Sequence, residues 1–166
     1  MRIAIAQINC TVGDISGNTA KILQAVEQAK QAGAELIVTP ELALSGYPPA
    51  DCLLREVFCH SCERALAELV KAVHGITLIA GHPHYHDGKL YNAASVICNG
   101  EILHTYHKRI LNQSRFFNEA YYVDTGTQPC AFELAGIKFG IAICADFWLE
   151  KLPDPAQYGN PDILLT

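Results

Sequence analysis

Hydrophobic positions along this chain follow two periods, and the change between them divides it into a front and a back part. Residues 2–8, rich in Ile with small Ala residues between them, predict a strand that is closely approached on one face. Gly13, Asp14 and Gly17 mark a turn, after which Asn18 is expected to cap a helix. Ile22, Leu23, Val26 and Ala29 recur there at helical spacing, and Gly33 suits the C-terminal end. Residues 35–40 read as a buried strand, and Gly46, Pro48 and Pro49 punctuate the loop behind it. Asp51 is expected to cap a second helical stretch carrying Leu53, Leu54, Val57, Phe58, Leu66, Leu69, Val70 and Val73, with Gly75 closing it.

From Ile76 the period shortens to that of strands. Residues 76–84, 90–98, 101–107, 130–134 and 138–144 are strand-like, and Asp87-Gly88, Asn99-Gly100 and Ala135-Gly136 are turn signals that make hairpins of them. A strand–helix–strand–helix opening followed by a meander predicts a layered α/β or α+β domain with parallel and antiparallel pairing. At the end, Asn160-Pro161 leads into Ile163-Leu164-Leu165, a further buried strand, so the chain is expected to be the front portion of a longer domain.

Composition narrows the classes. With 50% apolar and 17% charged residues among 166, disorder, coiled coil and collagenous repeat are excluded. A net charge of −5 with scattered basic residues argues against a nucleic-acid partner. Apolar runs such as 35–40 and 76–81 fall far short of the roughly 20 residues that span a bilayer, so a soluble protein with no membrane association is expected. The N-terminus enters a strand pattern directly, without a signal peptide, and the seven cysteines are expected to be reduced thiols in the cytoplasm.

Three constellations carry candidate chemistry. Glu41, Lys108 and Cys144 each stand at the C-terminal end of a strand pattern, the edge where layered α/β folds assemble their sites. On the strand before Cys144, alternation places Lys138, Gly140, Ala142 and Cys144 on one face, where small neighbours leave room for a ligand. A thiol needs a base or a cation to become a nucleophile: Glu41 supplies the first, Lys108 the second, and a helical turn opening at Asp146 adds to it. On the residues alone, a buried Cys, a capping Glu and a surface Lys explain the same three positions. His82, His84 and His86 share a strand face near Cys59 and Cys62, but a metal site is not expected, because the cysteines fall in a helical pattern and His86 at a hairpin tip. Neither G-x-G-x-x-G nor a P-loop occurs, so the chain is not expected to bind nucleotide.

Taken together, Glu41, Lys108 and Cys144 in their local contexts make the sequence resemble the nitrilase (carbon–nitrogen hydrolase) superfamily. Within it, Ile3-Ala4-Ile5-Ala6-Gln7, Gly13-Asp14-Ile15-Ser16-Gly17-Asn18 and Thr39-Pro40-Glu41-Leu42-Ala43-Leu44-Ser45-Gly46-Tyr47-Pro48-Pro49 are most similar to the N-terminal glutaminase domain of glutamine-dependent NAD synthetases. Tyr91-Asn92-Ala93-Ala94, Tyr106-His107-Lys108-Arg109 and Ile143-Cys144-Ala145-Asp146-Phe147-Trp148 are similar to later blocks. The resemblance implies an α-β-β-α sandwich, here incomplete at the C-terminus, with residues 1–166 forming the N-terminal portion of a hydrolase domain and the synthetase domain absent. Cys144 is then the nucleophile on the glutamine side-chain amide, Glu41 the proton acceptor, Lys108 the oxyanion stabiliser and Glu119 an auxiliary glutamate. Ammonia would pass to a synthetase domain, in the same or a separate chain, that amidates nicotinic acid adenine dinucleotide. ATP belongs to that domain, and the hydrolase needs no cofactor or metal. A homo-oligomer fits the family's habit. Two alternatives stand beside this one: an amidase for another small ω-amide, and an inactive truncated domain. Two departures from the family pattern are the loop Leu111-Asn112-Gln113-Ser114-Arg115-Phe116-Phe117-Asn118-Glu119, and Ala145, where the synthetase group has Glu.

Overall fold

The structure is a computed structural model and describes residues 1–113, 118–148 and 154–166. Eight strands and two α-helices follow the order β1 (Ile3–Ile5), α1 (Ile15–Gln31), β2 (Leu36–Val38), α2 (Glu56–Ala72), β3 (Thr77–His86), β4 (Lys89–Cys98), β5 (Glu101–His107), β6 (Cys130–Leu134), β7 (Ile137–Ile141) and β8 (Ile163–Leu165). The first five strands form one sheet in sequence order, and β6, β7 and β8 form a second. β1, β2 and β3 run parallel because a crossover lies before each join, whereas β3–β4, β4–β5 and β6–β7 are antiparallel hairpins. The hairpin tips at Asp87-Gly88, Asn99-Gly100 and Ala135-Gly136 all have positive φ, which matches the right-handed twist of the flanking strands. β8 adds parallel to β7.

Period-two alternation gives the first sheet two apolar faces. Ile37, Leu78, Ala80 and Ile97 face the helices, where Ile22, Val26, Cys62, Leu66 and Leu69 are buried against them. Leu36, Ile79, Ala94, Val96 and Tyr106 point the other way and pack on Phe132, Phe139, Ile141 and Leu165 of the second sheet. The result is helices on sheet on sheet, three of the four layers of an α-β-β-α sandwich. Among the described residues no α-helix lies against the outer face of the second sheet.

Both helix starts differ from the sequence reading. Asp14, not Asn18, caps α1, accepting a hydrogen bond from the Gly17 amide at 3.0 Å. Asn18 is instead buried inside the first turns of α1, where its amide pins Thr11 and the Leu44 carbonyl. The helix expected from Asp51 breaks in two: a 3-10 turn over Ala50–Leu54, then α2 from Glu56, with Arg55 extended between them. Apolar spacing continues across the break, so periodicity alone does not reveal it.

Candidate active site

Glu41, Lys108 and Cys144 lie on three separate connections at the same end of the molecule. Glu41 follows β2 in a tight turn whose next residue, Leu42, has φ 50°. That turn rests directly on β3 at Gly81, where a Cβ would stand 2.4 Å from the Pro40 carbonyl oxygen and 2.7 Å from the Leu42 nitrogen. Lys108 follows β5, held at its ends by its amide donating to the Asn92 carbonyl at 2.8 Å and its carbonyl accepting from Gly126 at 2.8 Å. Cys144 opens a one-turn 3-10 helix, Cys144–Phe147, with φ 46°.

β7 ends at Ile141, so Cys144 is not on its face. The expected row of small residues beside the thiol is therefore corrected: a Cβ on Gly140 would meet Pro161 and Tyr158 at about 3 Å, and that side of β7 is already filled. The open space lies across the strand ends instead. It is a cleft between the two sheets lined by Pro40, Glu41, Ala93, Ala142, Cys144 and Thr166, among others.

Behind the Glu41 wall of the cleft the charged groups are closely coupled. The Lys108 ammonium, fully buried, donates to Glu41 Oε1 at 2.6 Å and to Glu119 Oε2 at 2.6 Å. Burial pulls the lysine pKa down, but the two carboxylates outweigh it and hold the amine protonated above its ordinary value. Asn92, on β4, donates from Nδ2 to Glu41 Oε1 at 2.7 Å and to Glu119 Oε1 at 3.0 Å. Glu119 Oε2 also accepts from the Asn112 amide at 2.7 Å. Asn92 and Lys108 thus hold the two carboxylates in fixed places, and among the described residues Asn92 Oδ1 has no partner.

The Cys144 thiol lies close to Glu41 and has its pKa raised, by burial first and then by the Glu41 charge, with Lys108 acting in the opposite direction. The thiolate expected from Lys108 and the following turn is therefore opposed by burial and by Glu41, whose carboxyl group faces the thiol. Tyr47 stands near enough that burial, Glu41 and Glu119 all push its phenol upward.

Neither Asn92 nor Asp146, which ties the cysteine turn to the lysine segment, was among the candidates read from sequence. The available signal for Asn92 is a lone amide at a buried position of a largely apolar strand. Part of the divergent loop, residues 114–117, lies outside the described residues. Among the described residues no group of three or more His, Cys, Asp or Glu side chains is arranged to hold a metal ion. His82 is buried, with its ring nitrogens bonded to the Pro83 carbonyl at 2.9 Å and Ser95 Oγ at 2.7 Å. His84 pairs with His107 at 2.8 Å. Cys59 bonds to the Leu53 carbonyl, and burial pushes the Cys62 thiol up to about 12. No helix is long and apolar enough to cross a membrane, among the described residues.

Comparison with known proteins gives the chain its family. The glutamine-dependent NAD(+) synthetase of Xylella fastidiosa strain Temecula1 is 38% identical over 169 residues, which takes in 100% of this chain and 31% of that protein. The chain thus spans about a third of the length of that curated relative. The solved glutamine-dependent NAD+ synthetase of Acinetobacter baumannii superposes with a TM-score of 0.84 at 37% identity, over 88% of this chain and 28% of that one. An amidase from Nesterenkonia sp. superposes with a TM-score of 0.81 at 27% identity, over 90% of this chain and 57% of that one. The carbon-nitrogen hydrolase family model matches residues 2–163, and the chain belongs to the carbon–nitrogen hydrolase family.

Proposed function

We infer that this chain is a glutaminase-type amide hydrolase unit that supplies ammonia for NAD synthesis. The observation that carries the reading is Glu41, whose carboxylate contacts both the Cys144 thiol and the Lys108 ammonium. In the first step Glu41 takes the thiol proton as Sγ attacks the amide carbon, and the carbonyl oxygen becomes an oxyanion beside the Lys108 ammonium. Glu41 returns that proton to the amide nitrogen, the C–N bond breaks, and ammonia leaves a thioester on Cys144. Water, deprotonated by Glu41, then attacks the thioester; the acid departs and the thiol is reprotonated. Glu119 acts on Lys108 rather than on substrate, holding the ammonium together with Glu41.

Glutamine as the amide is supported by the NAD synthetases that match at 36–39% identity. A synthetase domain, in the same or a separate chain, would consume the ammonia and hold the ATP. No residue of this cleft is assigned to a cofactor or a metal. A second reading, an amidase for another small ω-amide, is favoured by the amidase superposition. Ammonia release from glutamine, asparagine and short aliphatic amides, with Cys144→Ala as blank, separates the two. Cys144-dependent turnover of aliphatic amides alone would remove glutamine, and no Cys144-dependent turnover of any amide would mark the chain as inactive.

A further inference from the structure

Asp146 lies two residues beyond Cys144 and is 1% exposed, yet among the described residues no salt bridge neutralises it. Its carboxylate is instead saturated by four hydrogen bonds. Oδ1 accepts from the Arg109 amide at 3.0 Å and the Ile110 amide at 2.6 Å. Oδ2 accepts from the Tyr106 hydroxyl at 2.6 Å and the Ile143 amide at 2.9 Å. Its own carbonyl accepts from the Tyr158 hydroxyl at 2.7 Å.

The donors come from two stretches of chain. Tyr106, Arg109 and Ile110 surround Lys108, while Ile143 immediately precedes Cys144. Capping a single 3-10 turn takes one or two backbone amides, and Asp146 meets that need through Ile143 alone. The other three bonds do nothing for its own turn; they fasten the lysine segment to it. A buried carboxyl group is costly to desolvate unless it is fully bonded, so the group here is retained by what it joins.

We propose that Asp146 is a positioning residue, which fixes the nucleophile Cys144 and the cation Lys108 at their working separation by binding both chain segments through one carboxylate. The inference rests on the roles given to those two residues above, but it can be read without substrate. The charged groups acting on the thiol are Glu41, Lys108 and Glu119, and Asp146 is not among the causes of its shift. Deleting the Asp146 charge alone would therefore leave the thiol unmoved or lower its pKa slightly. Letting Lys108 drift away would raise it, because Lys108 is the group that lowers it.

The test compares wild type, Asp146→Asn and Tyr106→Phe in the full chain. Readouts are far-UV circular dichroism, timed iodoacetamide labelling of Cys144 across pH, and ammonia release from glutamine. Asparagine places an NH2 group against main-chain N–H donors, which it cannot accept from; phenylalanine removes one donor of the four. Asp146→Asn is expected to keep its fold, to move the Cys144 labelling profile to higher pH, and to lower kcat on the order of 100-fold with little change in KM. Tyr106→Phe should shift both in the same direction by less than about tenfold. A folded Asp146→Asn whose profile is unmoved or moves to lower pH overturns the proposal. If Asp146→Asn does not fold, Tyr106→Phe decides by the same signs. Wild-type protein without Cys144-dependent turnover would sink the proposed function instead, and the labelling profiles would still decide for or against Asp146.

Discussion

Glu41 and Lys108 are 67 residues apart in the chain and 2.6 Å apart in the fold. Their pairing sets the Glu41 carboxyl group between a buried cation and a thiol whose pKa burial and Glu41 raise. Chemistry and reactivity are thereby separated, and each can be altered alone.

Glu41→Gln should make this visible. The Glu41 charge is the largest electrostatic cause holding the Cys144 pKa up, and Lys108 opposes it. Removing that charge lowers the thiol pKa, so labelling by iodoacetamide at pH 7.5 should become faster than in wild type. Amide turnover should fall by roughly 10²- to 10⁴-fold, the usual worth of a general base. Labelling slower than wild type would refute this account of the thiol.

Lys108→Met strands the buried Glu119 carboxylate beside the partly exposed Glu41 carboxylate. Breaking a buried ion pair from one side costs about 3–5 kcal/mol, and urea unfolding should register a loss of that order. Pairing it with Glu119→Gln removes the repulsion and should recover most of the stability, with turnover still absent. A double variant as unstable as the single one would show that Lys108 matters for packing rather than charge.

Stability should decline in mild acid. Burial pushes His82 down to about 4 from an ordinary 6.5, and His107 reaches about 4 through burial and its neighbours His84 and His86. The folded chain keeps these rings neutral while the unfolded chain protonates them below pH 6.5, so unfolding is favoured progressively as pH falls from 6.5 toward 4. His82, being fully buried, contributes about 3 kcal/mol of this at pH 4. The urea midpoint of His82→Gln should depend less on pH across that window than that of wild type; equal slopes would reject the assignment.

Gly81→Ala tests the seat of the Glu41 turn. Its Cβ would collide with backbone atoms of Pro40 and Leu42 on either side of the glutamate. A stability loss of about 1–3 kcal/mol is expected from the forced shift. Turnover should fall further than stability, on the order of 100-fold, because the base is displaced from the thiol. Wild-type kcat in the folded variant would mean the turn tolerates the displacement.

Much of this architecture was readable before any coordinates. The hairpins announced themselves because Asp87-Gly88, Asn99-Gly100 and Ala135-Gly136 are the residues that positive φ selects, and strand alternation placed His82, His84 and His86 on one face, where their rings adjoin. Local signals failed where long-range contacts decided. Asn18 reads as a cap until Thr11 and Leu44 claim its amide. Cys144 reads as the last residue of a strand, because nothing in Ile141-Ala142-Ile143 signals the left-handed turn that follows. Asn92 and Asp146 join segments remote in sequence, and no spacing rule connects position 92 with 41 and 119, or 146 with 106 and 109.

The φ of 46° at Cys144 sets the side chain against its own backbone. A left-handed backbone suits glycine, and a residue with a Cβ there is disfavoured by about 1 kcal/mol or more. Cys144→Gly should accordingly be more stable than Cys144→Ala. Glycine at this position would therefore relieve the backbone only by giving up the thiol, so local stability and the side chain's chemistry are set against each other at a single residue.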